Sequence, residues 1–213
     1  VVKVAIIGAG NVGTALADSA IKAGHDVTIT ARTPESAKTT ANQTGAQSID
    51  NTGDAARGAE IVILAVPYSA LDEVVSEAGD ALNGKIILDV TNPVAPDLSG
   101  RLTEGTSATQ EISDLIPSAQ VFKAFNTLFA SRMAAPDVDG TVVDGFVAGP
   151  DGEAKQTVLG FVESLGFRPI DAGPLTLAAA LEDMALLNIG LNARQGLTWQ
   201  SGWKLVGPMS KAA

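Results

Sequence analysis

Cysteine is missing from this chain of 213 residues, which excludes disulfides, a thiolate nucleophile and any sulfur-rich metal site. Histidine occurs once, and no metal site is expected. Aromatic residues make up only 4% of a chain that is 46% hydrophobic, so aliphatic side chains must supply the core. No run of about 18 or more apolar residues occurs, and no membrane span is expected. Basic residues are scarce: 14 Lys and Arg stand against 24 Asp and Glu, for a formal net charge of −10. With no Lys/Arg cluster to interrupt that field, nucleic acid is not an expected partner. No Ser-Tyr-x-x-x-Lys pattern is present, and Tyr68 has no lysine four residues on. The first residues carry no signal-peptide pattern, and a cytoplasmic location is expected.

What is present is concentrated at the start. Residues 1–7 are almost all apolar, Gly8-Ala9-Gly10-Asn11-Val12-Gly13 follows at once, and a helix-like run covers 14–23. A strand, a glycine turn and a helix start are the context in which G-x-G-x-x-G marks a dinucleotide site. Gly8 permits the turn, Gly10 lets the backbone approach a pyrophosphate, and Gly13 lets the helix pack on the strand. The helix N-terminus then offers free N–H groups to the phosphates.

Apolar strand-like runs recur at 27–31, 61–67, 85–91, 120–126 and 146–148, with helical or loop material between them. The alternation predicts parallel strands crossed over by helices: an α/β, doubly wound, Rossmann-like parallel sheet. A helix is expected over 153–165, a last strand over 167–170 and a loop over 171–175. A long helix over 177–198, apolar on nearly every face, follows. Residues 1–171 are read as the nucleotide-binding domain and 172–213 as a small helical C-terminal domain that closes the cleft. So apolar a helix is expected to be shared with a second subunit in a homodimer, or else packed with its Ala side on the sheet and Leu facing the cleft.

Selectivity is read at the end of the second strand, Ala31-Arg32-Thr33. NAD-selective folds place Asp or Glu there for the ribose 2′-OH. Here Arg32 stands where it can pair with a 2′-phosphate, with Thr33 and Ser36 just beyond, so NADP is the expected cofactor; Glu35 nearby weakens the contrast. The other strand ends offer Val66-Pro67, Asn92-Pro93 and Lys123 to Leu128 to the same crevice. Asn92 and Asn126 supply amides, although Asn92-Pro93 is equally readable as a plain turn. Lys123 is read as a strand residue whose head snorkels to water. His25, after Gly24 at the exit of the first helix, is read as a turn residue. No catalytic acid or base is expected, and the site is read as one that positions two rings while the cofactors carry the chemistry.

On these pieces the chain resembles the coenzyme F420-dependent NADP oxidoreductase family. The resemblance rests on the Gly8–Gly13 turn, Gly24-His25, Arg32, Val66-Pro67, Asn92-Pro93, Lys123-Ala124-Phe125-Asn126-Thr127-Leu128 and Asp171-Ala172-Gly173-Pro174-Leu175. It spans essentially the whole chain, and the last two pieces are the specific ones. The resemblance implies direct hydride exchange between NADP(H) and coenzyme F420 stacked in one cleft. It puts Ala9 to Val12 at the pyrophosphate, Ala31, Arg32 and Thr33 at the 2′-phosphate, and Val66 and Pro67 at the ribose and nicotinamide. Asn126, Thr127 and the residues to Ala130 would lie at the nicotinamide and deazaflavin, and 201–205 would help close the cleft. The chain departs from the family at Thr33 and Ser36, where basic residues are common, and at Asn126, where histidine occurs. The Asn126 departure leaves a flavin or another small acceptor as an alternative, and the lack of an acid/base group fits a non-catalytic NADP(H)-binding redox sensor as well. Pyrroline-5-carboxylate reductases are similar at the N-terminus but need a longer helical dimerisation domain.

Overall fold

In the first strand, Val4 and Ile6 face one side of the sheet while Ala5 and Ile7 face the other, and all four are buried. A strand apolar on both faces needs helices on both. The chain provides them in the computed structural model, which describes residues 1–207; the end of the expected C-terminal unit, 208–213, lies outside that description. β1 (Lys3–Ile7) leads through the glycine turn into α1 (Asn11–Lys22), and β2 (Asp26–Thr30), α2 (Pro34–Thr44) and a two-residue β3 (Gln47–Ser48) follow. The chain then crosses by α3 (Thr52–Gly58) to β4 (Ile61–Leu64), α4 (Leu71–Ala78), β5 (Ile86–Asp89), α5 (Ala108–Leu115) and β6 (Gln120–Ala124). These six strands lie in the order β3-β2-β1-β4-β5-β6, and their pairings are all parallel. That is the doubly wound order, with its switch point between β1 and β4, where ligands bind beyond the carboxyl ends.

The sheet continues differently from the expected all-parallel arrangement. After β6 come a five-residue α6 (Ala130–Ala134) and a small hairpin, β7 (Asp137–Val138) with β8 (Thr141–Val142). Parallel pairing needs a crossover of a dozen or more residues, usually helical, and this connection instead returns at the same end of the sheet. β9 (Asp144–Ala148) therefore pairs antiparallel with β6, Lys123 opposite Ala148. α7 (Glu153–Ser164) then supplies a true crossover, and β10 (Arg168–Gly173) lies parallel to β9. Strand β10 takes in Asp171, Ala172 and Gly173, which the sequence suggests as loop.

The last helix, α8 (Ala178–Gln195), is shorter at both ends than expected, and a single 3-10 turn at Leu175–Leu177 precedes it. Its buried face carries Leu181, Ala185, Glu182, Asn188 and Asn192, while Leu187 and Leu191 are exposed. The inward face is thus mixed, with Leu181 and Ala185 beside Glu182, Asn188 and Asn192, while Leu187 and Leu191 face out. No described helix is long and apolar enough to cross a membrane.

Candidate cofactor site

Gly8 ends β1 at φ +120°, and a Cβ there would strike the carbonyl oxygen of Ala65 on the neighbouring strand end. At Gly13 a Cβ would strike the carbonyl of Gly8, so the helix can approach the turn only as glycine. Gly10 is different: its Cβ would meet no protein atom within 4 Å. Space is held open at Gly10, the residue that caps α1 without any side-chain hydrogen bond. An uncapped first turn leaves its N–H groups free for an anion.

That turn sits on a cavity of about 440 Å³ at the β1–β4 switch point. Gly8, Ala9, Gly10, Ala31, Arg32, Thr33, Ser36, Val66 and Pro67 all line it. Arg32 is exposed at its rim. Thr33 also caps α2, its Oγ1 accepting the Ser36 N–H at 3.4 Å and lying 2.7 Å from Ser36 Oγ. Glu35 does not line the cavity. Two carboxylates that sequence reasoning missed do: Glu73 and Glu77 on α4, the latter accepting from Thr52 Oγ1 at 2.9 Å. Their only sequence cue is their place in the helix that follows Val66-Pro67.

A second cavity of about 140 Å³ lies where β5 and β6 end. Val12, Asn92, Asn126, Thr127 and Ala130 line it, joined by Leu128, Phe129 and three residues of α8, Ala185, Asn188 and Ile189. The α8 residues carried no motif and were not foreseen. Asn11 and Gly13 line neither cavity; Asn11 is exposed at the start of α1 and Gly13 is buried beneath the turn. The two Asn side chains bridge the strand ends: Asn92 Nδ2 donates to the Asn126 carbonyl at 2.8 Å, and Asn126 Nδ2 donates to Asn92 Oδ1 at 3.0 Å. Asn92 thus lines the cavity as well as forming a turn.

Lys123 does not snorkel. Its side chain is fully buried, and Nζ donates to Asp89 Oδ2 at 2.7 Å and the Thr91 carbonyl at 2.8 Å, and pairs with Glu182 Oε1 at 2.9 Å. A central strand flanked by β5, β9 and α8 gives the stem no route to water, so the ammonium is neutralised in place. Thr109 Oγ1 donates to Asp89, the Ala108 N–H donates to Glu182, and Arg101 reaches Glu182 and Asp183. Burial pushes the Glu182 carboxyl above its ordinary range, against the pull of Lys123. This cluster fixes α8 to the ends of β5 and β6, immediately behind Asn92 and Asn126.

Residues 199–205 line neither cavity but back two residues of the smaller one. Trp199 packs edge-on against Phe129 at 5.4 Å, and Ser201 Oγ donates to Asn188 Oδ1 at 2.7 Å. The segment is held along β9, where the Asp144 N–H donates to the Trp203 carbonyl and the Leu205 N–H donates to Asp144 Oδ2. Arg168 clamps the same carboxylate with two bonds, at 2.6 and 2.7 Å. His25 is far from both cavities: Nδ1 accepts from the Val2 N–H, Nε2 meets Ser164 Oγ at 2.8 Å, and the ring packs on Phe161. Among the described residues no cluster of three or more His, Asp or Glu has the arrangement of a metal site.

Comparison with known proteins agrees with this geometry. The family described as NADP oxidoreductase, coenzyme F420-dependent, matches residues 3–93. The F420-dependent NADP reductase of Methanothermobacter thermautotrophicus is 30% identical, the match covering 91% of this chain and 90% of that protein. Rat metalloreductase STEAP3 is also 30% identical over 86% of this chain, which spans only 36% of that longer protein. Among solved structures, a candidate F420-dependent NADP-reductase from Arthrobacter sp. FB24 superposes with a TM-score of 0.85 at 28% identity. The match covers 97% of this chain and all of that one.

Proposed function

The chain belongs to the F420-dependent NADP reductase family, a family of oxidoreductases, and from that premise we propose that it transfers a hydride between NADP(H) and a deazaflavin such as coenzyme F420. The observation that carries this reading is the pair of cavities at the α1 N-terminus, the larger lined by Gly10, where space is open, and by Arg32, the smaller by Val12. NADPH, when bound, would supply the hydride, and water the further proton that completes reduction of the acceptor. The protein's part is to bind and align. The first turn of α1 with Ala9 and Gly10 takes the pyrophosphate; Ala31, Arg32, Thr33 and Ser36 take the 2′-phosphate end; Val66 and Pro67 bound the ribose. Asn92, Asn126, Thr127 and Ala130 bound the ring. Residues 1–171 work as the nucleotide unit and 172–213 as the closing unit, although β10 spans the join. The exposed leucines of α8 support a homodimer.

The experiment is spectroscopic. NADPH is mixed with F420 and, separately, with FMN, and the visible band of the acceptor is followed. Bleaching of F420 supports the reading. Bleaching of FMN alone moves the protein to the flavin-reductase alternative, which the Asn126 departure favours. Binding of NADPH without reduction of either leaves a redox-sensing module.

A further inference from the structure

We propose that Asn188, on α8, is a hydrogen-bond donor to the second substrate, its Nδ2 held toward the smaller cavity to meet a ring carbonyl of the kind that flavins and deazaflavins share. The inference rests on the reading of the chain as an NADP-dependent reductase of such a ring. A relay that starts at the backbone of the 199–205 segment sets the orientation of this amide. The Trp199 N–H donates to Asn192 Oδ1 at 3.1 Å, so Asn192 turns its Nδ2 the other way. That Nδ2 meets three oxygens: the Asn188 carbonyl at 2.9 Å, Asn188 Oδ1 at 3.1 Å and Ser201 Oγ at 2.7 Å. Ser201 Oγ in turn donates to Asn188 Oδ1. Flipping the Asn188 amide would set its NH2 against the NH2 of Asn192, so Oδ1 faces the relay and Nδ2 points away from it. Trp199, where the relay begins, is held at φ +58°, and Ser131 Oγ donates to its carbonyl at 2.7 Å. Left-handed backbone at a tryptophan is strained, and persists where the surroundings over-determine it.

Asn188 Nδ2 has no acceptor among the described residues, and unlike Asn126 Oδ1 and Thr127 Oγ1 it is not sealed from solvent. The residue is only 5% exposed and lines the smaller cavity, so the opening at Nδ2 is that cavity. No charged side chain lines it, and a single neutral donor suits a carbonyl oxygen better than a full anion. Helix α8 lines the smaller cavity and not the larger, nucleotide-binding one, so the partner of Asn188 is the acceptor ring. Size agrees: the cavity is about 140 Å³, and one of about 150 Å³ takes a benzene-sized ring. One end of a tricyclic ring enters such a space, and the pyrimidine end carries the carbonyls. Hydride arrival from NADPH, which leaves as NADP+, puts an electron pair on that conjugated carbonyl until water supplies a proton. A donor fixed there is worth more as the charge develops than toward the neutral ring.

The test uses whichever of F420 and FMN the protein reduces with NADPH. Asn188→Asp keeps an oxygen for Asn192 and Ser201 and replaces only the free donor. At about pH 8 it should lower kcat/KM for the acceptor by about tenfold or more and leave NADP+ affinity within about twofold. The ratio of variant to parent, which cancels the acceptor's own titration, should recover as pH falls toward about 5, because a protonated carboxyl again offers a donor. No titratable side chain lines the smaller cavity to imitate that recovery. Asn192→Asp lines neither cavity, yet should cost as much at about pH 8, because it lets Asn188 turn its oxygen to the cavity; the double variant should be no more than about twofold worse than either. If Asn188→Asp fails to fold, seen as lost NADP+ binding, Asn188→Ala replaces it, with the same loss and no recovery in acid. Unchanged kcat/KM in the Asn188 variant overturns the proposal, as does a loss in Asn188→Asp that acid does not restore. Unchanged kinetics in Asn192→Asp overturn the relay. A loss confined to NADP+ affinity gives the donor to the nicotinamide and overturns its assignment to the second substrate. If NADPH reduces neither F420 nor FMN, the reductase reading itself fails, and the inference with it.

Discussion

Arg32 stands at the rim of the larger cavity, and the one carboxylate of its own turn, Glu35, does not line it. A charge-assisted contact to a 2′-phosphate contributes about 1.5–3 kcal/mol. Arg32→Ala should therefore lower NADPH affinity by roughly ten- to a hundredfold while leaving NADH nearly untouched, as fluorescence titration of both cofactors will check. A protein that binds the two equally before mutation has no such contact. At Gly10 the open space makes a complementary expectation: Gly10→Val should melt close to the parent, because its Cβ meets nothing, yet lose NADPH binding. Retained binding would show that the turn does not carry the pyrophosphate. These residues were legible in the sequence because each answers a local demand, a positive φ, a close approach or a charge at a strand tip. Lys123 was not. Its fate depends on Asp89 and Glu182, distant in sequence, and a lysine in an apolar strand gives no sign of them. Glu73 was hidden for the same reason, since a carboxylate in a helix reads as a solvated face.

Strands announced themselves as apolar runs, but their directions did not. The sense of β9 follows from a connection after β6 that carries no crossover helix, only the five-residue α6 and a hairpin, and connection geometry leaves little trace in hydropathy. The order of the first six strands was implied once the glycine turn fixed β1 as the central crossover point. Helix α8 was legible as a helix and misread as a surface, because Glu182, Asn188 and Asn192 are inward only in the company of Lys123 and Ser201. Replacing Lys123 with Met leaves Asp89 buried without its cation and Glu182 with Arg101 alone, and should cost about 3–5 kcal/mol in urea unfolding. A loss below about 1 kcal/mol would mean that the cluster is solvated. The 199–205 segment depends on Asp144. Burial opposes ionisation of that carboxyl, but Arg168, the Leu205 N–H and Lys204 outweigh it and hold it below the usual carboxylate range. A folded-state value below the unfolded one means the contribution is complete above the ordinary aspartate value of about 3.9 and is lost as pH falls through the depressed value. Both tryptophans of the chain, Trp199 and Trp203, lie in this segment, so their fluorescence reports it. Emission should be flat from neutral pH down to about 4 and change below it. Asp144→Asn should shift it already at pH 7; an unchanged spectrum there would show that the segment is held by other contacts.

For the whole molecule, the absence of a histidine at either cavity has a kinetic consequence. Once the acceptor's own titration is subtracted, the hydride-transfer rate should vary little between about pH 6 and 8, and His25→Gln should leave it unchanged. A steep profile that vanished in His25→Gln would reveal proton transfer through that side chain. Association of copies is the other whole-molecule expectation. Sedimentation at micromolar concentration should give a dimer, and Leu187→Glu with Leu191→Glu, on the outward face of α8, should give monomers. A monomeric parent would dispose of the dimer. The margins of the sheet bear on where such contact can form. At one margin β3 offers only two residues of ladder; at the other, β10 opens on Arg168 and Pro169 and carries Asp171. Proline has no N–H to lend, and charge on an outermost strand discourages a further one. Both margins are poor templates for a strand from a neighbouring copy, which disfavours end-to-end growth of the sheet into fibres and would leave the proposed dimer to a helix.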